Sequence, residues 1–144
     1  MIDNKYARRE YTIGETLVAG IVLSGAEVKS LRGGRGNLRD AYAKWIGGEL
    51  HLLGADIPQY SHHTEQAYDA KRSRKLLLNR AEILKVQKKM EGKPLTLVPL
   101  RLFFKGRWVK CELGVGQGKK EWEKREDIKK RDIEKEIARE LRTK

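Results

Sequence analysis

The sequence predicts a mainly β chain with short helices: a small barrel followed by a charged C-terminal tail. Three observations carry that expectation. Apolar residues alternate with polar ones in short runs, the pattern of strands with one buried face. Gly-Gly and Lys-Gly steps separate neighbouring runs, as turns do in hairpins. After Gly118 the alternation stops and charge dominates.

The elements follow in order. In residues 15–23 (ETLVAGIVL), Leu17, Ala19, Ile21 and Leu23 recur at period two and read as a strand. Ser24 and Glu27 have the spacing of a capping box, in which each side chain satisfies the other residue's backbone N–H. They open a short helix, AEVKSLR, that stops at Gly33-Gly34. Residues 38–46 and 49–57 flank Gly47-Gly48 and read as a β-hairpin. Residues 58–75 are polar, lack periodicity and end in KRSRK, which reads as a surface loop with a basic end. Asn79 and Glu82 are a second helix-start signal, and Ile83, Val86 and Met90 share one face of the helix that follows. Gly92 and Pro94 end it. Two further strands, 95–104 and 107–116, join through Lys105-Gly106. Val109, Cys111, Leu113 and Val115 point inward between Lys110 and Glu112, and Pro99 suits an edge or a bulge. Five or six short strands with a helix inserted late fit a small closed barrel of the OB type.

The chain therefore divides into a barrel, 1–118, and a tail, 119–144. Within the tail Ile133, Ile137 and Leu141 recur every four residues, with Ile128 slightly off the stripe. The stripe is narrower than that of a core-facing helix. Two readings stay open: a segment disordered alone that becomes helical on a partner, or a helix docked on the barrel.

Charge points to the partner class. The 144 residues carry a net charge of +12, of which the barrel holds +9 and the tail +3. An excess of this size favours a polyanion, either nucleic acid or an anionic membrane. Charge alone also fits a protein that is simply basic. No run approaches the roughly 20 apolar residues of a membrane span. The polar N-terminus, MIDNKYARRE, has no signal-peptide segment, so a cytoplasmic location is expected. With Cys111 as the sole cysteine, neither an intrachain disulfide nor a CxxC metal site can form. Nothing signals an oligomer, and a monomer is expected.

The residues make no case for catalysis, metal binding or a cofactor. His51 and the pair His62-His63 lack metal-ligand spacing and read as surface histidines. Cys111 lies on the inward face, which suits a core thiol better than a nucleophile. The run from Gly114 to Lys120 superficially resembles a phosphate loop, but Leu113 stands where its first glycine belongs and Lys120 where Ser or Thr belongs. The basic clusters say more. Arg8-Arg9, Arg32 with Arg35, the Lys71–Lys75 run and Lys119-Lys120 all lie near element boundaries, and phosphate contacts need such charge. Aromatic residues supply stacking platforms in many such barrels. The candidates are Tyr6, Tyr11, Tyr42, Trp45, Tyr60, Tyr68, Trp108 and Trp122. For Tyr42, Trp45 and Trp108 the preferred reading is core or hairpin packing. Trp122, with little apolar company, reads as part of a contact surface.

Six blocks in order make the chain resemble the SsrA-binding protein (SmpB) family. They are NKxAxxxY from Asn4, AGIVL from Ala19, GxEVKSLR from Gly25, RxRKLLL from Arg72, TLVPL from Thr96, and GKK at Gly118 with KRxDIKxRD from Lys124. The resemblance implies an OB-type barrel that binds the tRNA-like domain of transfer-messenger RNA and delivers it to stalled ribosomes for trans-translation, with no bond chemistry of its own. The alternative is a general ribosome-associated nucleic-acid-binding barrel without a dedicated RNA partner. By the same resemblance Asn4, Lys5, Lys29, Arg72, Arg74, Lys75 and Leu77 fall among the RNA contacts. Lys119, Lys120, Trp122, Lys124, Arg125, Asp127, Ile128 and Lys129 fall in the ribosome-contacting tail, which is helical in the message channel near the small-subunit decoding site. The chain departs from the family in three places. Val18 stands where a glutamate associated with RNA contact is usual, Asp69-Ala70 replaces Asp-Pro, and Glu123 replaces Asp.

Overall fold

A computed structural model describes residues 1–60, 68–119, 129 and 131–139. Its strands are β1 (Ile2–Asp3), β2 (Tyr11–Ile21), β3 (Tyr42–Ile46), β4 (Glu49–Leu53), β5 (Arg74–Leu77), β6 (Thr96–Lys105) and β7 (Trp108–Gly118). They form one sheet in the order β1-β6-β3-β4-β5-β2-β7, and β6 also pairs with β7. That last pairing closes six strands into a ring, with β1 attached outside it along β6. The barrel is of the OB type expected from the sequence.

The helices are α1 (Ala7–Glu10), α2 (Gly25–Arg32) and α3 (Arg80–Met90). Both capping boxes form. The Ser24 and Asn79 side chains accept from the N–H groups of Glu27 and Glu82, whose carboxylates accept from the capping residues' own N–H groups. On α3 Val86 is buried and Met90 packs against the core. The barrel interior is lined by Ala19, Leu52, Leu97, Cys111 and Leu113, all without solvent exposure. Burial, with the Glu112 charge second, pushes the Cys111 thiol up to about 12, so it stays protonated and inert.

Several boundaries differ from expectation, each for a physical reason. β2 begins at Tyr11 instead of Glu15 because a bulge between Ile13 and Thr16 restores its pairing with β7. The 38–46/49–57 hairpin contracts to β3 and β4. Asp40 and Gly54, at positive φ, break the extended backbone, and only the Asn37–Asp56 bridge continues the pairing. The basic end of the expected 58–75 loop becomes β5, in which Arg74 and Leu76 point inward and Lys75 and Leu77 outward. Pro99 takes the bulge option, at the register shift between Pro99 and Arg101. The run from Gly114 to Gly118 is strand, not a phosphate loop. A Cβ on Gly114 would lie 2.7 Å from Ile13 Cγ2, so any larger residue at this point of the β2–β7 pairing forces Ile13 to move.

Residues 131–139 are helical and exposed. Ile133 and Ile137, two members of the sparse apolar stripe, are 57% and 52% exposed, so these two side chains stand free of the core.

Candidate nucleic-acid interface

Strand register assembles an outward face from residues far apart in sequence. Phe103, Lys110, Gly20 and Leu77 stand opposite one another across β6, β7, β2 and β5. One row over lie Arg101, Glu112 and Val18, with Arg101 paired to Glu112 at 3.4 Å. On the other side Lys105 faces Trp108, and the Val22 N–H donates to the Lys75 carbonyl at 3.0 Å. The intervening residues Leu102, Cys111 and Ala19 are buried, as a period-two pleat demands. The result is a wall where exposed Val18, Val22 and Leu77 lie among Lys75 and Lys110. A Cβ on Gly20 would meet Leu77 Cβ at 3.3 Å; glycine there lets Leu77 lie flat across β2.

Behind this wall sits a buried charge cluster. Glu27, from the capping box of α2, is fully buried and accepts from Arg72 Nη2 and, at 2.6 Å, from Arg74 Nε. Burial by itself would raise the Glu27 carboxyl, but bonds from Arg72, the Ser24 N–H and Arg74 outweigh it and hold the group below the ordinary glutamate range. Arg74 is equally buried, and it also donates to the Ala55 carbonyl at 2.7 Å and the Ala70 carbonyl at 2.8 Å. Arg74, expected among the RNA contacts, is thus corrected to an internal role: its guanidinium is spent on the fold and no face of it reaches solvent. It ties α2, β5 and the segment before β5 into one unit. Arg72, with 40% of its side chain exposed, is the cation this unit presents outward.

Lys75 is exposed and 3.2 Å from Glu49, which also lies 3.6 Å from His51. Lys29 is exposed on α2, 5.8 Å from the centre of the Tyr60 ring. Lys5 is exposed beside β1. Asn4 is half-buried and acts as a clasp: its amide donates to the carbonyls of Pro99 at 2.9 Å and Leu38 at 3.3 Å, and its carbonyl oxygen accepts from Tyr6 N–H. Lys75, Leu77 and Arg72 therefore converge near the β2–β5 seam. Asn4 and Lys5 lie on the β1–β6 side, across β7 from Val18.

The family model described as SmpB protein matches residues 1–143. The chain belongs to the SmpB family. The SsrA-binding protein of Salinispora tropica is 48% identical over 137 residues, which cover 95% of this chain and 86% of that protein. That of Gloeobacter violaceus is 48% identical over 142 residues, covering 99% and 93%. A solved chain described as "tmRNA-SmpB: a journey to the center of the bacterial ribosome" superposes with a TM-score of 0.69 at 42% identity, over 83% of this chain and 84% of that one.

In this SmpB-family chain the tail begins where β7 ends. Lys119 donates its N–H to the Glu10 carbonyl and its ammonium to the Arg8 carbonyl, both at 2.9 Å. Lys129 is exposed. Lys120, Trp122, Lys124, Arg125, Asp127 and Ile128 lie outside the described residues, as do His62 and His63. Two aromatic expectations need correction. Trp108 is not packed in its hairpin but 74% exposed, and Tyr42 is 40% exposed. Trp45 does pack against the core. Among the described residues no three potential metal ligands cluster, and no helix is long and apolar enough to cross a membrane.

Proposed function

We propose that this chain binds the tRNA-like domain of transfer-messenger RNA and carries it to stalled ribosomes for trans-translation, in the cytoplasm and without bond chemistry of its own. The observation that carries this reading is the SmpB match over residues 1–143, which spans both barrel and tail. The wall of β2, β5 and β7 supplies a physical basis. Lys75, Arg72, Lys29 and Lys5 meet phosphates, and Leu77 gives an apolar contact that phosphate binding alone does not need. Asn4 and Arg74 act from behind, by fixing β1 on β6 and β5 on α2.

The tail has the second role. Lys119 and Lys120 form its root. Trp122, Lys124, Arg125, Asp127, Ile128 and Lys129 face the ribosome near the small-subunit decoding site, and the segment 119–144 runs helical into the message channel. The exposed Ile133 and Ile137 support this reading, since a helix with a bare apolar stripe gains most by finding a partner.

The test is a titration of the full chain against the tRNA-like domain, with ordinary tRNA as competitor, at two salt concentrations. Binding that survives competition supports the reading and shows that Val18 is tolerated. Weak binding that collapses equally for both RNAs as salt rises marks a general phosphate binder and overturns it.

A further inference from the structure

Trp108 is the most exposed large apolar side chain among the described residues, at 74%. It sits at the tip of the β6–β7 hairpin and lines a groove of about 300 Å³ with Gly20, Val22, Val28, Leu77, Arg107 and Lys110. An exposed indole gains little from the fold and leaves a large apolar surface in water. The groove's floor is aliphatic and flat, because Gly20 lacks a side chain. Its rim is cationic: Arg107 and Lys110 have no carboxylate partner among the described residues.

We propose that this groove holds one unstacked nucleotide of the bound RNA, its base against the Trp108 ring and its phosphates on Arg107 and Lys110. Three features favour a nucleotide over an apolar peptide. The groove sets aliphatic side chains beside a single aromatic ring, the unpaired charges lining it are both positive, and it shares Leu77 with the wall described above. Base stacking on an aromatic ring tolerates any sequence, since every base has a π face. The inference rests on the RNA-binding reading above and extends it to the hairpin residues Arg107, Trp108 and Lys110, which the sequence blocks do not include.

The experiment uses the full chain carrying Trp45→Phe and Trp122→Phe, so that Trp108 is the single indole, titrated with the tRNA-like domain. Stacking quenches its fluorescence in step with binding. Trp108→Ala, made in the otherwise unaltered chain, should weaken binding roughly tenfold or more, within the range for one stacked base. Trp108→Phe should restore most of that loss. Neither should alter the slope of affinity against salt, whereas Arg107→Ala with Lys110→Ala should make the slope shallower by about two phosphate contacts. An unquenched Trp108 together with Trp108→Ala binding within twofold of the parent overturns the groove assignment while leaving the wider reading intact. Quenching with every RNA tested, and no preference for the tRNA-like domain, would support the groove but defeat the dedicated partner.

Discussion

Replacing Arg74 with Met tests whether the buried cluster holds the barrel together. Both charges are fully buried, and Arg74 donates to Glu27 at 2.6 Å, to Ala55 at 2.7 Å and to Ala70 at 2.8 Å. The substitution keeps the volume roughly constant but strands the Glu27 charge. Removing one partner of a buried pair costs about 3–5 kcal/mol. The Ala55 carbonyl is left without its Arg74 donor, which pushes toward the upper end. The Ala70 carbonyl keeps the Ile57 N–H, and Glu27 keeps Arg72 and Ser24, which push the other way. A loss near 4 kcal/mol is a large share of the ~5–15 kcal/mol that holds a domain folded. The assay is urea unfolding followed by circular dichroism, where the midpoint should fall by roughly 2 M at a typical slope. Arg72→Met, at the half-exposed partner, should cost much less. Adding Glu27→Gln to Arg74→Met should recover part of the loss, because the stranded charge is gone. The argument fails if Arg74→Met lies within about 1 kcal/mol of the parent, or if Arg72→Met is equally damaging.

Four further outcomes follow from the same structure. Glu27 is held below the ordinary glutamate range in the folded chain, so its contribution is present at neutral pH and is lost as pH falls through the folded value; unfolding free energies from pH 7 to pH 3 should drop more steeply in the parent than in Glu27→Gln. Gly114→Ala should cost about 1–3 kcal/mol through its clash with Ile13, and Ile13→Ala in the same chain should return part of it, read as thermal midpoints. Leu77→Asp should lower affinity for the tRNA-like domain at least tenfold with an unchanged unfolding midpoint, since the side chain is 49% exposed. Truncation after Gly118 should leave that affinity within about twofold but abolish tagging on stalled ribosomes, measured in a reconstituted translation assay; equal losses of both would refute the division between barrel and tail.

Local chemistry made much of the fold legible. The two capping boxes, the Gly-Gly turn and the parity of β7 are short-range signals, and each reappears as expected. Long-range compensation was less legible. Arg74 looks like a surface cation because its neutralising partner, Glu27, lies 47 positions away in the chain. Its inward direction has no local signal either, since Arg74-Lys75-Leu76-Leu77 puts one cation and one leucine on each face. At Trp108 parity overrides hydrophobicity. Val109, Cys111, Leu113 and Val115 point inward, which places Trp108 on the wet face with Lys110 and Glu112. The convergence of Leu77, Gly20 and Lys110 depends on strand register, which no single segment encodes. β1 and α1 are too short to show a period.

The length of β7 bears on how the two ends of the molecule cooperate. Trp108 is its first residue, and the tail departs just after its last, Gly118, where Lys119 is fastened to Arg8 and Glu10. The ten steps from Trp108 to Gly118, at about 3.3 Å each, set these points at most about 33 Å apart. Both neighbours of β7 run beside it for nearly that whole length, so the distance cannot flex much. The barrel thereby acts as a gauge block: it fixes how far from the Trp108 end the tail begins, whatever path the tail then takes.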